Sequence, residues 1–351
     1  MAQKRTFMQK VVAFLDSSNV KGTDPRYIAL PERPWRVVLG GNTDQLDLTM
    51  TSYAQNTSED ARTSIAFDFS MKVKPPVGNS VGLWAGYRGW GLGYSLSVTG
   101  NKGINLSFNI STPANGVNVR VHRFEFGNPN FAIRNLQVDG KKYADISSNG
   151  EALEEPVNIE SMVLDGYWVF NNKRFSLAAP YGQSTLQLRS AGSFLAGLMI
   201  YYQKFDFSQK RNFMISAFSN NVGTLKLYQG SIGVGYTYNW VPARNWTFNF
   251  VLMPVVSLLN RVRLSNYTLK INDEKYDEND PWADIELVHT GNTSNNGRIN
   301  LNLDARVAAS YWWKRFSFGI IGQGHQFDSK YDDTRVKMTD WEIKASIGYN
   351  I

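Results

Sequence analysis

The chain of 351 residues has no cysteine, which excludes disulfides, thiolate metal sites and cysteine nucleophiles. Histidine is scarce, with only His122, His289 and His325, too few for a multi-histidine zinc site. Charged residues make up 19%, and the net charge of +7 comes from dispersed lysines and arginines, with no basic helix or arginine patch. Nucleic-acid binding is therefore not expected. No stretch reaches 18 apolar residues, so no helix is expected to cross a membrane. The longest nearly apolar run, Val251 to Leu259, has instead the length of a membrane strand. A secretory signal is not evident either. The apolar stretch Val11-Val-Ala-Phe-Leu15 is short and is followed by Asp16, unlike the longer apolar core of an export signal.

What is abundant points to strands and turns. Aromatics are 13% and glycines number 29, a mixture of strand formers and turn formers. Residues 1–34 stand apart. Phe7, Met8, Val11, Val12, Phe14 and Leu15 recur at helical spacing, and Pro25, Pro31 and Pro34 enforce an extended arrival at Trp35. The expectation is a short amphipathic periplasmic helix and lead-in over 1–34, followed by a barrel over 35–351.

From Trp35 the period is two. Ile65, Phe67, Phe69, Met71 and Val73 alternate with Asp68 and Lys72; Leu106 and Phe108 with Ser107 and Asn109. Ile232 to Trp240, Leu301 to Tyr311 and Trp341 to Ile351 repeat the pattern. The strands are long enough, at about 11 residues, to cross a bilayer when tilted near 40°. Aromatics flank the tight turns, giving a girdle that includes Trp168, Trp240, Trp246, Trp312, Trp313 and Tyr349. Short turns at 171–174, 207–211, 241–245 and 313–315 alternate with long segments near 128–156, 264–297 and 328–336. This asymmetry predicts an all-β transmembrane antiparallel barrel in the outer membrane, its short turns periplasmic. Counting strands gives about 14, with 62–74, 174–188 and 211–220 each a strand and 81–98 one glycine-kinked strand. The alternative is 12.

Five stretches, Lys21-Gly-Thr-Asp-Pro-Arg-Tyr27-Ile, Arg33-Pro-Trp-Arg-Val37, Gly86-Tyr-Arg-Gly-Trp-Gly-Leu-Gly-Tyr94, Phe170-Asn-Asn-Lys-Arg-Phe-Ser176 and Gly182-Gln-Ser-Thr-Leu-Gln187-Leu-Arg189-Ser-Ala-Gly-Ser193-Phe, carry a resemblance. They resemble a Bacteroidetes family, the domain of unknown function 4421, over roughly residues 20–351. The resemblance implies an exported outer-membrane barrel and brings no activity.

The alternation places Arg36, Asp68, Lys72, Arg120, Asp304, Arg306, Glu342 and Lys344 on the lumen side. These charges either brace the interior as ion pairs or line a polar pore with mild anion preference. Gln183, Ser184, Gln187, Arg189, Ser190 and Ser193, with Arg88, form the best ligand candidate, since arginine offers a planar fork to a carboxylate or sugar. The same residues also suit a hydrogen-bond network that fixes a strand and an inward loop.

The carboxylates at 273–286, with Asp332 and Asp333, read as a solvated acidic loop, lacking the ligand order of a calcium loop. His325 and His122 have no nucleophile motif beside them, so no catalytic residue, metal or cofactor is expected, and a membrane hydrolase comes third among the readings. A porin-like pore for small polar or anionic solutes comes first. Second comes a structural or accessory barrel that partners another envelope protein or an external ligand. Outer-membrane lipid surrounds the barrel on each reading, and the basic turns at Lys173-Arg174, Lys210-Arg211, Arg244 and Lys314-Arg315 are expected to face the periplasm.

Overall fold

The computed structural model describes residues 6–57, 64–99, 103–150, 153–212, 215–216, 219, 221–272, 275, 277, 283–331 and 334–351. Twelve antiparallel strands close into a ring: β1 Trp35–Thr57, β2 Gly78–Tyr87, β3 Trp90–Thr99, β4 Gly103–Ser111, β5 Asn115–Phe126, β6 Val157–Val169, β7 Ala191–Asp206, β8 Val222–Trp240, β9 Trp246–Ile271, β10 Asn300–Trp313, β11 Phe316–Tyr331 and β12 Thr334–Asn350. Each pairs with its neighbour in the chain, and β12 returns to β1 from Asn350↔Arg36 to Thr334↔Ser52. Closure leaves no unpaired edge in the wall.

The ring thus holds the alternative number. The segment 81–98 divides at Arg88-Gly89, both with positive φ, into β2 and β3. The segment 62–74 is a strand, Ser64–Val73, but lies above the ring on the upper half of β1. The segment 174–188 runs inside the barrel and contributes only the bridge Leu186–Gln187. The described residues of 211–220 sit in helical turns.

Outward positions of the lower wall are apolar. On β7 they run Phe194, Ala196, Leu198, Ile200; on β9 Phe250, Leu252, Pro254, Val256; on β12 Ile347, Ala345, Ile343. The eleven residues Gly192 to Tyr202 on β7, at about 3.3 Å each and tilted about 40°, cover roughly 25 Å, the height of a bilayer's apolar band. Trp35, Trp168, Trp240, Trp246, Trp313, Phe316 and Tyr349 ring its lower margin, all outward and exposed. Trp312 does not belong to this girdle. It is 6% exposed against 52% for Trp313, because period two sends adjacent side chains to opposite faces.

Above the belt the polarity inverts. Leu48, Met50, Phe69, Met71, Val73, Phe124, Phe126, Val157, Ile159, Phe205, Leu225, Val262, Val336 and Met338 point inward into one apolar cluster. Asp68 and Lys72, expected in the lumen, face outward: Asp68 accepts from Asn135 Nδ2 at 2.7 Å, and Lys72 lies 3.2 Å from Asp47. Outside the bilayer the wall faces water on its outer side, so the alternation must bury its apolar half inside. Asn130–Val138 and Ile146–Ser148 extend the sheet over Ser64–Val73, and Ile285–Asn296 extends it over the top of β9. The segment 207–211 also lies at this end, where Asn212 Nδ2 donates to Glu155 O at 2.5 Å, and not with the turns 241–245 and 313–315 among which it was expected.

At the other end sit both termini of the ring and the turns 88–89, 112–114, 241–245 and 314–315. Helix α1, Phe7–Val20, begins with a capping box between Thr6 and Gln9. Its Asp16 accepts from Arg88 Nε and Tyr87 Oη, each at 3.1 Å, and Phe14 meets Trp90 edge-on at 6.1 Å.

The inverted phase has a direct test. Phe69→Ala is expected to lower unfolding stability by about 3–5 kcal/mol, and Asp68→Ala to change it by less than about 0.5 kcal/mol, measured by urea unfolding in lipid vesicles. The opposite ranking would put Phe69 on the outer face.

Candidate functional site

The lumen between these two ends is built from very unequal walls. On β2 to β5 the inward positions are small: Ser80 and Gly82, Gly91, Gly93 and Ser95, Ser107, Asn109 and Ser111, Gly116 and Asn118. Trp84 also points inward and lies flat across this wall. A Cβ on Gly86, Gly91 or Gly93 would sit 2.2–3.0 Å from its indole, so the glycine motif is the bed on which the ring rests. The space left in front is a cavity of about 260 Å³.

A charged network built on β5, β6, β10 and β12 crosses the lumen beside this cavity. Arg120 donates to Glu342 at 2.6 Å and lies 3.9 Å from Asp165; Arg306 lies 3.4 Å from Asp165 and donates to Asp304 at 3.2 Å. Lys344 reaches Glu342 at 3.1 Å, and Gln323 also donates to that carboxylate. Tyr167 donates to Asp304 at 2.8 Å, under the Arg306 guanidinium 4.3 Å from its ring centroid. His325 lies 3.4 Å from Asp304 and edge-on to Tyr201. Asp165, Asp304 and Glu342 are almost wholly buried, and charges so placed persist only when paired and hydrogen-bonded. Three cations meet three carboxylates at hydrogen-bond or ion-pair distance, which is the bracing arrangement.

The floor is the segment between β6 and β7. Phe175, Leu177, Ala178 and Ala179 are buried within the lower lumen. Arg36 donates to Gly182 O at 2.5 Å and to Gln183 Oε1. Ser184 donates to Ser111 O at 2.9 Å, and Tyr181 to Asn249 at 2.7 Å. Gln187 accepts from Ser176 N and Asn239 Nδ2 while donating to Arg174 O and Arg189 O. Its strand partner is Ile28 of the lead-in. Ser193 accepts from Phe170 N and Asn171 N, and Ser190 from Val241 N. The roof is the apolar cluster of the upper barrel. Buried side chains thus occupy both ends of the lumen, and the cavity lies between them.

The residues expected together as a ligand site do not converge. Arg88 holds α1 through Asp16 and donates to Pro31 O at 2.8 Å. Arg189 sits 5.9 Å from the Tyr27 ring at the floor's underside. Gln183, Gln187 and Ser190 are engaged in fixing the floor. Asp304, Arg306, Glu342 and Lys344 are inward, as the alternation required. Asp165, the anion shared by Arg120 and Arg306, went unnoticed; its inward register between Val163 and Tyr167 was the available signal. Asp273, Glu274, Glu278, Asp280, Asp332 and Asp333 lie outside the described residues, and among the described residues no three acidic or histidine side chains are placed to hold a metal.

Cavity and network differ in charge. Arg36, Arg306 and Lys344 line the cavity, and no carboxylate does among the described residues. Arg36 is 7% exposed, its Nε has no partner, and no carboxylate lies within 4.0 Å of it among the described residues.

The family described as domain of unknown function (DUF4421) matches residues 42–350. No curated protein matches the chain. Solved structures with a similar trace include the outer membrane protease OmpT from Escherichia coli, at 10% identity and TM-score 0.38 over 92% of this chain and 98% of that one. Others are the COG4313 outer membrane channel from Pseudomonas putida F1, at 10% and 0.31 over 92% and 98%, and the P. putida toluene transporter TodX, at 8% and 0.29 over 95% and 94%. Overlaps this low carry no functional argument. The belt, the closed ring and the aromatic margin themselves make the chain an outer-membrane barrel.

Two outcomes test the site. Asp165→Asn leaves Arg120 and Arg306 without their shared anion and is expected to cost about 3–5 kcal/mol in urea unfolding; a loss below about 1 kcal/mol would mean that the network does not brace the barrel. At the lower rim, hydrogen bonds from Arg26 hold the Asp24 carboxyl down to about 2 from its ordinary 3.8. A depressed carboxyl stabilises the fold above its unfolded value and stops doing so as pH falls through the folded one. The hydrogen-exchange protection factor of Leu188 N, which donates to Tyr27 O at 2.7 Å, is expected to fall between about pH 4 and 2 and to stay constant there in Asp24→Asn.

Proposed function

Given that the chain belongs to the DUF4421 family, whose description assigns no activity, we propose that the barrel is a gated pore that takes a small polar or anionic solute into its central cavity. One observation carries this reading: a cavity of about 260 Å³ lined by Arg36, Arg306 and Lys344 and by no described carboxylate. In a low-dielectric interior such a lining favours an anion. The apolar side chains Trp84, Leu177, Leu195, Val251 and Ile321 share the lining and suit a solute with a compact apolar part. Passage requires the floor segment 170–190 to withdraw. Arg36, joining β1 to Gly182 and Gln183, is the latch.

The second reading, an accessory barrel that partners another envelope protein, draws on the filling of both ends. Catalysis has little support. His325 is buried beside Asp304 and Tyr201, and among the described residues no serine hydroxyl hydrogen bonds to it. A Bacteroidetes source and a periplasmic seat for α1 belong to the same reading.

Planar-bilayer recording separates the two. The wild type is expected to stay closed for most of a recording, and Arg36→Ala to open repeatedly, with anions carrying most of the current. A steadily open wild type would contradict the latch. Silence from both, with correct folding shown by circular dichroism, would favour the accessory barrel.

A further inference from the structure

The outer face of β7, β8 and β9 changes character row by row as it leaves the belt. Ile200, Gly230 and Leu259 are cross-strand neighbours in an apolar row. The next outward row up is Tyr202, Tyr228 and Arg261; the one above is Lys204, Lys226 and Arg263. Asn296 continues the first of these rows and Ser294 the second, each directly opposite its arginine.

The upper row sets three like charges side by side on adjacent strands. Directly opposite residues have Cβ atoms about 4.5–5.5 Å apart, and like charges there are destabilising. Lys204 is relieved by Asp206 at 2.9 Å, and at the row's other end Arg123 is paired with Glu160 at 2.8 Å. Among the described residues no carboxylate lies within 4.0 Å of Lys226, Arg261 or Arg263. Arg263 instead lies 5.7 Å from the Tyr228 ring centroid, Tyr228 stands 5.2 Å from Tyr202, and Arg261 donates to Asn296 at 3.3 Å. The tyrosines sit at the height where ring and hydroxyl divide between hydrocarbon and headgroup.

We propose that this face binds a phosphorylated glycolipid of the outer leaflet. Its phosphate bridges Lys226 and Arg263, its sugar hydroxyls meet Asn296 and Ser294, and its acyl chains lie over Ile200 and Leu259. Guanidinium and ammonium groups recognise phosphate by charge-assisted hydrogen bonds, and a bridging anion removes the like-charge repulsion. The rows connect headgroup height to the belt without a break, which selects a lipid over a dissolved anion. The site is on the outside of the wall and does not depend on whether the lumen conducts.

The test is native mass spectrometry of the full barrel in zwitterionic detergent, titrated with a phosphorylated acyl-glucosamine lipid, its dephosphorylated form, or phosphatidylcholine. The phosphorylated lipid is expected to bind at least about tenfold more tightly than the others, and Lys226→Gln/Arg263→Gln to abolish that preference, a difference of about 1.4 kcal/mol. Lys314→Gln/Arg315→Gln at the opposite rim keeps it. Inorganic phosphate at the same concentration leaves the lipid bound. Equal binding of both glycolipids, an unaffected double variant, an equal loss in the opposite-rim control, or displacement by phosphate would each overturn the proposal. Should the double variant fail to fold, Lys226→Gln alone is expected to weaken the preference, and an unchanged preference overturns it equally.

Discussion

The constraint on which the structure depends is that a wall surrounded by hydrocarbon must satisfy its own backbone. Water is absent at that depth, so each amide and carbonyl of the belt has to find a partner along the ring. Twelve antiparallel strands joined last to first meet that demand. Once the ring is closed, the pleat leaves each side chain two options, lipid or lumen. Charge therefore collects inside, where pairing offsets the cost of burial, and the network of Arg120, Arg306, Asp165, Asp304 and Glu342 follows from the wall.

That constraint ends where the bilayer ends, which is also where reading the sequence alone goes astray. Period two was legible from Trp35 onward, and it put Asp304, Arg306, Glu342 and Lys344 on the face that the structure turns inward. It does not say which face is inside. The alternation Phe69, Met71, Val73 against Asp68, Lys72 looks the same in lipid as in water, yet the sense is opposite in the two surroundings, and the apolar set is buried in the upper barrel. Trp312 is a smaller instance. Two adjacent tryptophans both looked like interface anchors, although one pleat cannot aim both outward.

The strand number failed for a different reason. Residues 174–188 contain enough apolar and β-forming side chains to look like a wall strand, but Phe175, Leu177 and Ala178 are buried because the segment fills the lower lumen. Gln183, Ser184 and Gln187 are the polar part of the same fit. They satisfy backbone groups of a loop that has left the ring and cannot use its ladder. The motif read as a binding site is thus explained first as the hydrogen-bonding of the floor, and the candidate ligand position moves to the space above it.

That space exists because the inward side chains of β2 to β5 were kept small at the height of Trp84. Gly91 and Gly93 have no room for a Cβ beneath the Trp84 indole, and Ser95, Ser107 and Asn109 extend the shallow face. Larger inward residues on β2 to β5 would fill a twelve-stranded lumen entirely, since small barrels close their interiors with side chains. A barrel whose only task was to brace the membrane gains nothing from a cavity: packing it would add dispersion contacts and remove a void. Three cations facing that void, one of them lacking a carboxylate, add an electrostatic cost that an apolar filling would avoid. Cavity and charge together are hard to account for by stability alone, and that is the physical ground for placing an anionic solute between Trp84 and Arg36.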